Sequence, residues 1–321
     1  MLALIEIQWW HYAGFVILIL LFLSLDLGVF HRKAHVVSFK EAFAWTTVWC
    51  CLALLFALGL RPLRGNASAL DFLNGYLIEL SLSMDNVFVM AVIFNYFKVP
   101  PLYQHRVLFW GVLGAFVMRG LMIGVGVELI HSYQWMLYVF GIFLVLTGIK
   151  MVVADEEDLC PEKNPLLRLA QRHFPVSTEY DGQKFLTFAG GRLALTPLAL
   201  VLILVESTDL VLALDSIPAI LGVTTDSFIV FTSNVFAILG LRSLYFVLAG
   251  AIAYFRYLKI GLAVVLGFIG FKMIVVDWVK IPSSVSLPIV LAIIGISILL
   301  SLIRAWRDPG AGTPSDPCAK A

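Results

Sequence analysis

The chain has 321 residues, of which 61% are hydrophobic and 13% charged, with 22 Lys and Arg against 21 Asp and Glu and a mean hydropathy of +0.96. That balance excludes a soluble globular domain, and the lack of a basic patch or Lys/Arg-interleaved aromatic platform excludes nucleic acid as a partner; it predicts an all-α polytopic membrane protein. The four cysteines, Cys50, Cys51, Cys160 and Cys318, make no CxxC pair and have no histidine at ligand spacing, so neither a zinc site nor a disulfide framework is expected.

The first residues carry no Lys or Arg, unlike the start of a cleavable secretory signal, so the first apolar run is expected to remain as a spanning helix. Crossing about 30 Å of hydrocarbon takes about 20 helical residues. Runs of that order fall near 12–30, 41–60, 71–97, 106–128, 134–154, 196–222, 227–253, 258–279 and 285–305, predicting about nine transmembrane helices in a domain of residues 1–308. The third, sixth and seventh are longer than a straight crossing needs, which leaves room for tilt or a broken helix. Trp9, Trp10, Trp278 and Trp306 fall near span ends, as interfacial anchors do. Gly120 and Gly124 form a small-xxx-small packing pattern in the fourth span.

With the first residue outside, the inner segments 31–40, 98–106, 155–195, 254–259 and the tail hold three, two, five, two and three Lys and Arg, fifteen in all, against three in the outer segments. The positive-inside rule then puts the N-terminus outside and the C-terminus inside. The connection 155–195 reads as a cytosolic loop. It opens on the acidic run Asp155, Glu156, Glu157, Asp158, a solvated helix end or a metal sensor, and continues into a short hairpin with one arm from Lys184 to Phe188 and the other from Arg192 to Thr196. Residues 309–321, rich in Pro and Gly, are expected to be disordered.

Within the third and sixth spans lie the residues that carry chemistry. Glu79, Asp85 and Asn86 interrupt one apolar run; Glu206, Asp209, Asp215 and Ser216 interrupt the other, with the same six-residue step from Glu79 to Asp85 and from Asp209 to Asp215. A charged side chain at mid-membrane costs about 2.5–3.5 kcal/mol on insertion scales, which makes each a functional candidate. Aligning the two stretches, with a gap of about seven residues in the connection that follows, brings Arg119 near Arg242 and matches Gly148-Ile-Lys150-Met-Val-Val-Ala-Asp155 to Gly270-Phe-Lys272-Met-Ile-Val-Val-Asp277. The units, spans 3–5 (about 71–154) and 6–8 (about 196–279), each cross three times, so the second enters from the opposite side: an inverted repeat, whose substrate site would lie near the midplane. Asp26 in the first span either joins that site or is an interfacial carboxylate beside Arg32 and Lys33.

Glu206 and Asp209 share a helix face, whereas Asp215 is rotated about 120° from Asp209 and lies some 9 Å further on, so a straight helix cannot aim all three at one point. A helix break at Pro218 would resolve this and free backbone carbonyls. The ligand set is carboxylate, amide and hydroxyl oxygen, Ser81 and Ser83 included, which suits hard cations such as Mn²⁺, Mg²⁺ or Ca²⁺ over Cu⁺ or Zn²⁺. Arg119 and Arg242 would balance charge; in the alternative reading the carboxylates only pair with them to hold helices. Lys150 and Lys272, near helix ends, are expected to snorkel.

The stretches Gly75-Tyr-Leu-Ile-Glu79 with Asp85-Asn-Val-Phe88, Leu202-Ile-Leu-Val-Glu206 with Asp209 and Asp215-Ser-Ile-Pro-Ala-Ile220, and Thr232-Ser-Asn234 to Leu239-Gly-Leu-Arg242 resemble the TerC family of integral membrane proteins, in its alkali-inducible, Alx-like branch, from about Asp26 to Trp306. The resemblance implies a bacterial inner-membrane protein of a lysine-exporter-like superfamily. It also implies manganese efflux, alkaline stress and tellurium resistance, with Glu79, Asp85, Glu206, Asp209 and Asp215 as the acidic residues. The expectation is a divalent-cation exporter with Mn²⁺ as substrate, coupled to protons, embedded in lipid, without an organic cofactor and not an enzyme. An intramembrane aspartyl protease would need a GxGD motif that the chain lacks. A membrane scaffold, or a tellurium-resistance protein without transport of its own, is the remaining alternative.

Overall fold

The computed structural model describes residues 7–25, 38–153, 164–177, 179–189, 192–248 and 257–307. These form nine helices and one hairpin: α1 (Trp9–Leu25), α2 (Phe39–Tyr96), α3 (Pro101–Ser132), α4 (Met136–Val153), α5 (Pro165–His173), β1 (Leu186–Ala189), β2 (Arg192–Leu195), α6 (Pro197–Leu221), α7 (Ser227–Leu248), α8 (Leu258–Ile274) and α9 (Ser283–Arg307). Six of them, α2, α3, α4, α6, α7 and α9, are long and apolar enough to cross a membrane. α1 and α8, with 17 residues each, are shorter than the runs predicted for them. Asp26, the acidic run at 155–158 and the C-terminal residues 308–321 lie outside the described residues.

Helix starts follow local chemistry. Ser38 caps α2 by accepting from the Glu41 amide, Thr196 caps α6 ahead of Pro197, and Asn164 caps α5 by accepting from the amides of Leu166 and Leu167. The 58-residue α2 covers the second and third predicted runs and is interrupted at Gly65, whose φ of 89° is open to a residue without Cβ. The interruption expected at Pro218 is absent: α6 stays helical to Leu221, so the lost amide and the ring are accommodated within the last turn.

The second half of α2 packs on α7, α3 packs on α6 and α7, and α4 packs on α8. The α4–α8 crossing is the tightest approach. A Cβ on Gly141 would meet the Gly270 carbonyl at 2.8 Å, one on Gly270 would meet the Gly141 carbonyl at 2.5 Å, and one on Gly148 would meet the Ala263 carbonyl at 2.7 Å. Gly124, half of the predicted packing pattern, has nothing within 4 Å of such a Cβ. Two apolar layers position the polar centre between them. One joins Val87, Met90, Leu108, Val201, Val205 and Leu241; the other joins Ile123, Val127, Ile217, Ile220 and Val230.

The hairpin expected after Lys184 is present, with Leu186 opposite Leu195 and Ala189 opposite Arg192. Asp181 accepts from Thr187 Oγ1 at 2.9 Å and Lys184 Nζ at 3.1 Å, bonds that hold its carboxyl below the usual range. Tyr180 donates to the Phe97 carbonyl at 2.8 Å and Arg106 lies over the Phe185 ring, so the hairpin segment seats on the junction between α2 and α3. α5 runs antiparallel to α6. At one end Asn164 Nδ2 donates to Ser207 Oγ at 2.8 Å, and at the other the Ser177 amide donates to the Leu195 carbonyl at 2.8 Å.

Candidate functional site

On a helix, residues four and seven apart share a face, whereas residues six apart are about 120° away. On α2 that rule groups Glu79, Ser83 and Asn86 and turns Asp85 aside; on α6 it groups Asp209, Ala213 and Ser216 and turns Asp215 aside. Glu79 from the first set and Asp209 from the second meet at Arg119 of α3. The guanidinium makes an ion pair with Glu79 through Nη1, and it donates to Asp209 Oδ1 from Nη2 at 2.9 Å and to Oδ2 from Nε at 3.3 Å. Asn86 Nδ2 also donates to Asp209 Oδ1, at 3.0 Å. All four are buried, with Glu79 at 0%, Arg119 at 2%, and Asp209 and Asn86 at 4% exposure. In so apolar a place two carboxylates persist only because one planar, permanently charged fork answers both.

Glu206 is half-buried one turn from Asp209 and within its electrostatic reach, and its carboxylate rests against Gly114 of α3, where any Cβ would overlap it. Asp85 faces another way, within electrostatic reach of Lys259 of α8. Asp215 accepts from Thr147 Oγ1 of α4 at 3.1 Å and lies within reach of Lys150. The five carboxylates are therefore divided into a central group of three and two flanking ones that look toward the α4–α8 pair. Among the described residues no three His, Cys, Asp or Glu stand close enough to hold one ion as they are. Ser216 is buried at 2% and Ser83 at 1%, and neither hydroxyl has a hydrogen-bond partner.

Arg242, expected beside the carboxylates, instead lines a small cavity with Ala42, Trp45, Trp49, His105 and Phe246, a cavity that none of the five acidic residues lines. Lys272 does not snorkel. It is buried, and its Nζ donates to Ser286 Oγ of α9 at 3.3 Å, with Asp71 within electrostatic reach. Lys150, which the sequence alignment of the two stretches matches to it, is exposed. Two polar residues carry more than the sequence reading assigned to them. Asn74, fully buried, donates to the Ser283 carbonyl at 3.0 Å, and Asn234 of α7 is fully buried without a hydrogen-bond partner among the described residues. The signal for both was an amide inside a spanning run, the same criterion that singled out Asn86.

The comparisons with known proteins agree with this architecture. The model of the "Integral membrane protein TerC family" matches residues 64–308, the stretch from the break in α2 to the end of α9. The chain is 52% identical over 298 residues to "Uncharacterized membrane protein STKORF319" of Myxococcus xanthus, covering 93% of each chain. It is 48% identical over 304 residues to "Putative membrane-bound redox modulator Alx" of Escherichia coli (strain K12), covering 92% of this chain and 94% of that one. An "Uncharacterized membrane protein" of Rickettsia bellii is 39% identical over 290 residues, which is 90% of this chain and 96% of the relative. No solved structure matches the chain. With a family match over most of its length and relatives near half identity along nearly all of it, this multi-pass membrane protein belongs to the TerC family.

Proposed function

We propose that the chain is a bacterial inner-membrane divalent-cation exporter, with Mn²⁺ as substrate and protons as the coupling ion. The observation that carries the reading is the buried group of Glu79, Asp209 and Asn86 gathered on Arg119, from three helices, between two apolar layers. All the ligand atoms on offer are oxygens, the choice of a hard divalent ion. Manganese within that class rests on the family resemblance. Arg119 acts as a tethered substitute for the ion: it pairs with Glu79 and Asp209 when the site is empty and releases one of them when a cation arrives, while Glu206 turns from Gly114 toward it.

The α4–α8 crossing supports the inverted repeat. Matching Gly148 to Gly270 pairs Gly141 with Ala263, and exchanging the units converts the Gly141–Gly270 contact into the Gly148–Ala263 contact, as a two-fold axis in the membrane plane requires. In this reading the chain crosses the membrane nine times, α2 crossing once on each side of Gly65, the N-terminus is outside, and α5 with the hairpin is cytosolic. The test is uptake of radioactive Mn²⁺ into everted membrane vesicles with and without a pH gradient. Gradient-dependent accumulation, lost in Asp209→Asn, is expected; vesicles that take up no Mn²⁺ above an empty-membrane control would remove transport from the account.

A redox reading has one observation in its favour besides the relatives' name. Tyr76 donates to Cys50 Sγ at 3.4 Å, next to the exposed Cys51. Cys50→Ser with Cys51→Ser is expected to leave Mn²⁺ uptake intact, and loss of uptake would move the function toward the thiols.

A further inference from the structure

Asn234 lies in the middle of α7 with no exposed surface, and neither Nδ2 nor Oδ1 has a hydrogen-bond partner. A primary amide left this way among apolar helices is destabilising, so in native structures it calls for an explanation, a bound ion being one. Helical geometry fixes where it looks. Asn234 is within about 40° of Val230 and about 20° of Leu241 around the α7 axis, roughly 6 Å beyond the first and 10 Å short of the second. Val230 belongs to the layer with Ile123 and Ile217, and Leu241 to the layer with Leu108 and Val205. Between those layers α3 presents Arg119 and α6 presents Asp209. The neighbouring Ser233 fixes the register against α2, since a Cβ on Gly75 would meet Ser233 Oγ at 2.7 Å, one turn before Glu79.

We propose that Asn234 Oδ1 is a direct ligand of the translocated cation, completing the site from the fourth helix. The inference rests on the exporter reading above. A neutral amide oxygen adds a hard ligand without adding charge to a site that already holds Glu79, Asp209 and Glu206. Its Nδ2 then faces Glu79, whose partner among the described residues is Arg119. When the cation draws Arg119 from Glu79, that amide donor takes over part of its place. Ser83 and Ser216 lie on the Glu79 and Asp209 faces of their helices, and among the described residues their hydroxyls have no hydrogen-bond partner.

The test uses the full-length protein in lipid nanodiscs with Mn²⁺ as the only added ligand, read by calorimetry and by thermal unfolding. Asn234→Leu fills the same volume with no polar atom. It is expected to unfold at a higher temperature than the wild type without metal and to bind Mn²⁺ at least tenfold more weakly, whereas Asn234→Asp binds again. Wild-type affinity in Asn234→Leu, alongside lost binding in Asp209→Asn, would overturn the ligand role and leave the exporter reading standing. A lower metal-free unfolding temperature for Asn234→Leu, or failure to fold, would also overturn it, by showing that the amide serves the fold. Absence of Mn²⁺ binding by the wild type would end both proposals.

Discussion

Arg119 is one cation answering two buried carboxylates, so its removal leaves Glu79 and Asp209 uncompensated where water cannot reach them. Arg119→Met should therefore lose about 3–5 kcal/mol of stability, the cost of breaking a buried pair from one side. Removing the charges together, as in Glu79→Leu with Arg119→Met and Asp209→Leu, should recover most of that loss. Unfolding in mixed detergent measures both, and a stable Arg119→Met single variant would contradict a structural role for the pairing. The same residues show how far sequence reading goes. Composition and the repeat put Arg119 and Arg242 on equal terms, and nothing in either local sequence tells which one meets the acids. The difference is rotational: Arg119 lies on the α3 face turned to α6, while Arg242 lies on the α7 face turned to Trp45 and Trp49. Lys272 is the reverse case. Its nearness to a helix end suggested snorkelling, but α9 covers it and offers Ser286, a contact that no pattern within α8 encodes.

Helices here are held by glycine contacts as much as by apolar side chains, and which glycines matter depends on the partner helix. Gly120 and Gly124 carry the sequence pattern, yet the close approach belongs to Gly141, Gly148 and Gly270. The pattern marks a helix that can be approached; only the fold says whether another helix does so. Gly141→Ala should cost about 1–3 kcal/mol, as overpacking against backbone does, whereas Gly124→Ala should be neutral or stabilising by up to about 1 kcal/mol through helix propensity. Thermal unfolding of the two variants side by side checks the contrast, and equal midpoints would contradict the α4–α8 crossing. At the same scale, α5 depends on one residue twice, since Asn164 caps its own helix and clasps Ser207 beside Glu206. Asn164→Ala should remove about 1 kcal/mol of capping and let residues 164–173 exchange amide hydrogens faster while α6 keeps its protection. Unchanged exchange in α5 would mean that the clasp contributes nothing. The hairpin and the spanning runs were legible beforehand because turn chemistry and hydropathy are local; the continuity of α6 through Pro218 was not, because it depends on how many residues follow the proline.

Charge balance belongs to the whole molecule, and the structure changes the sum that the sequence suggested. Counting five carboxylates and two arginines around a divalent ion leaves one negative charge over. The fold takes Asp85 toward Lys259, Asp215 toward Lys150 and Arg242 into another cavity, so the centre holds Glu79, Glu206 and Asp209 against Arg119 alone. Three ionised carboxylates and one guanidinium leave a charge of −2, which a divalent cation cancels. In the exporter reading two protons would restore neutrality without the cation, in a space where net charge is strongly disfavoured. Each Mn²⁺ bound should therefore release two protons, and affinity should rise with pH by up to about a hundredfold per unit while both groups stay protonated in the empty site. Exchange of one Mn²⁺ for two protons moves no net charge, so in everted vesicles uptake should follow the pH gradient and ignore an imposed membrane potential. Valinomycin and a potassium gradient set that potential independently, and calorimetry in buffers of different ionisation enthalpy counts the protons. Uptake that responds to the potential, with a count near one, would mean that Arg119 leaves the site with its charge rather than staying to complete the balance. Glu206→Gln separates the two: with one carboxylate fewer, one proton should be released per Mn²⁺ and transport should become sensitive to potential.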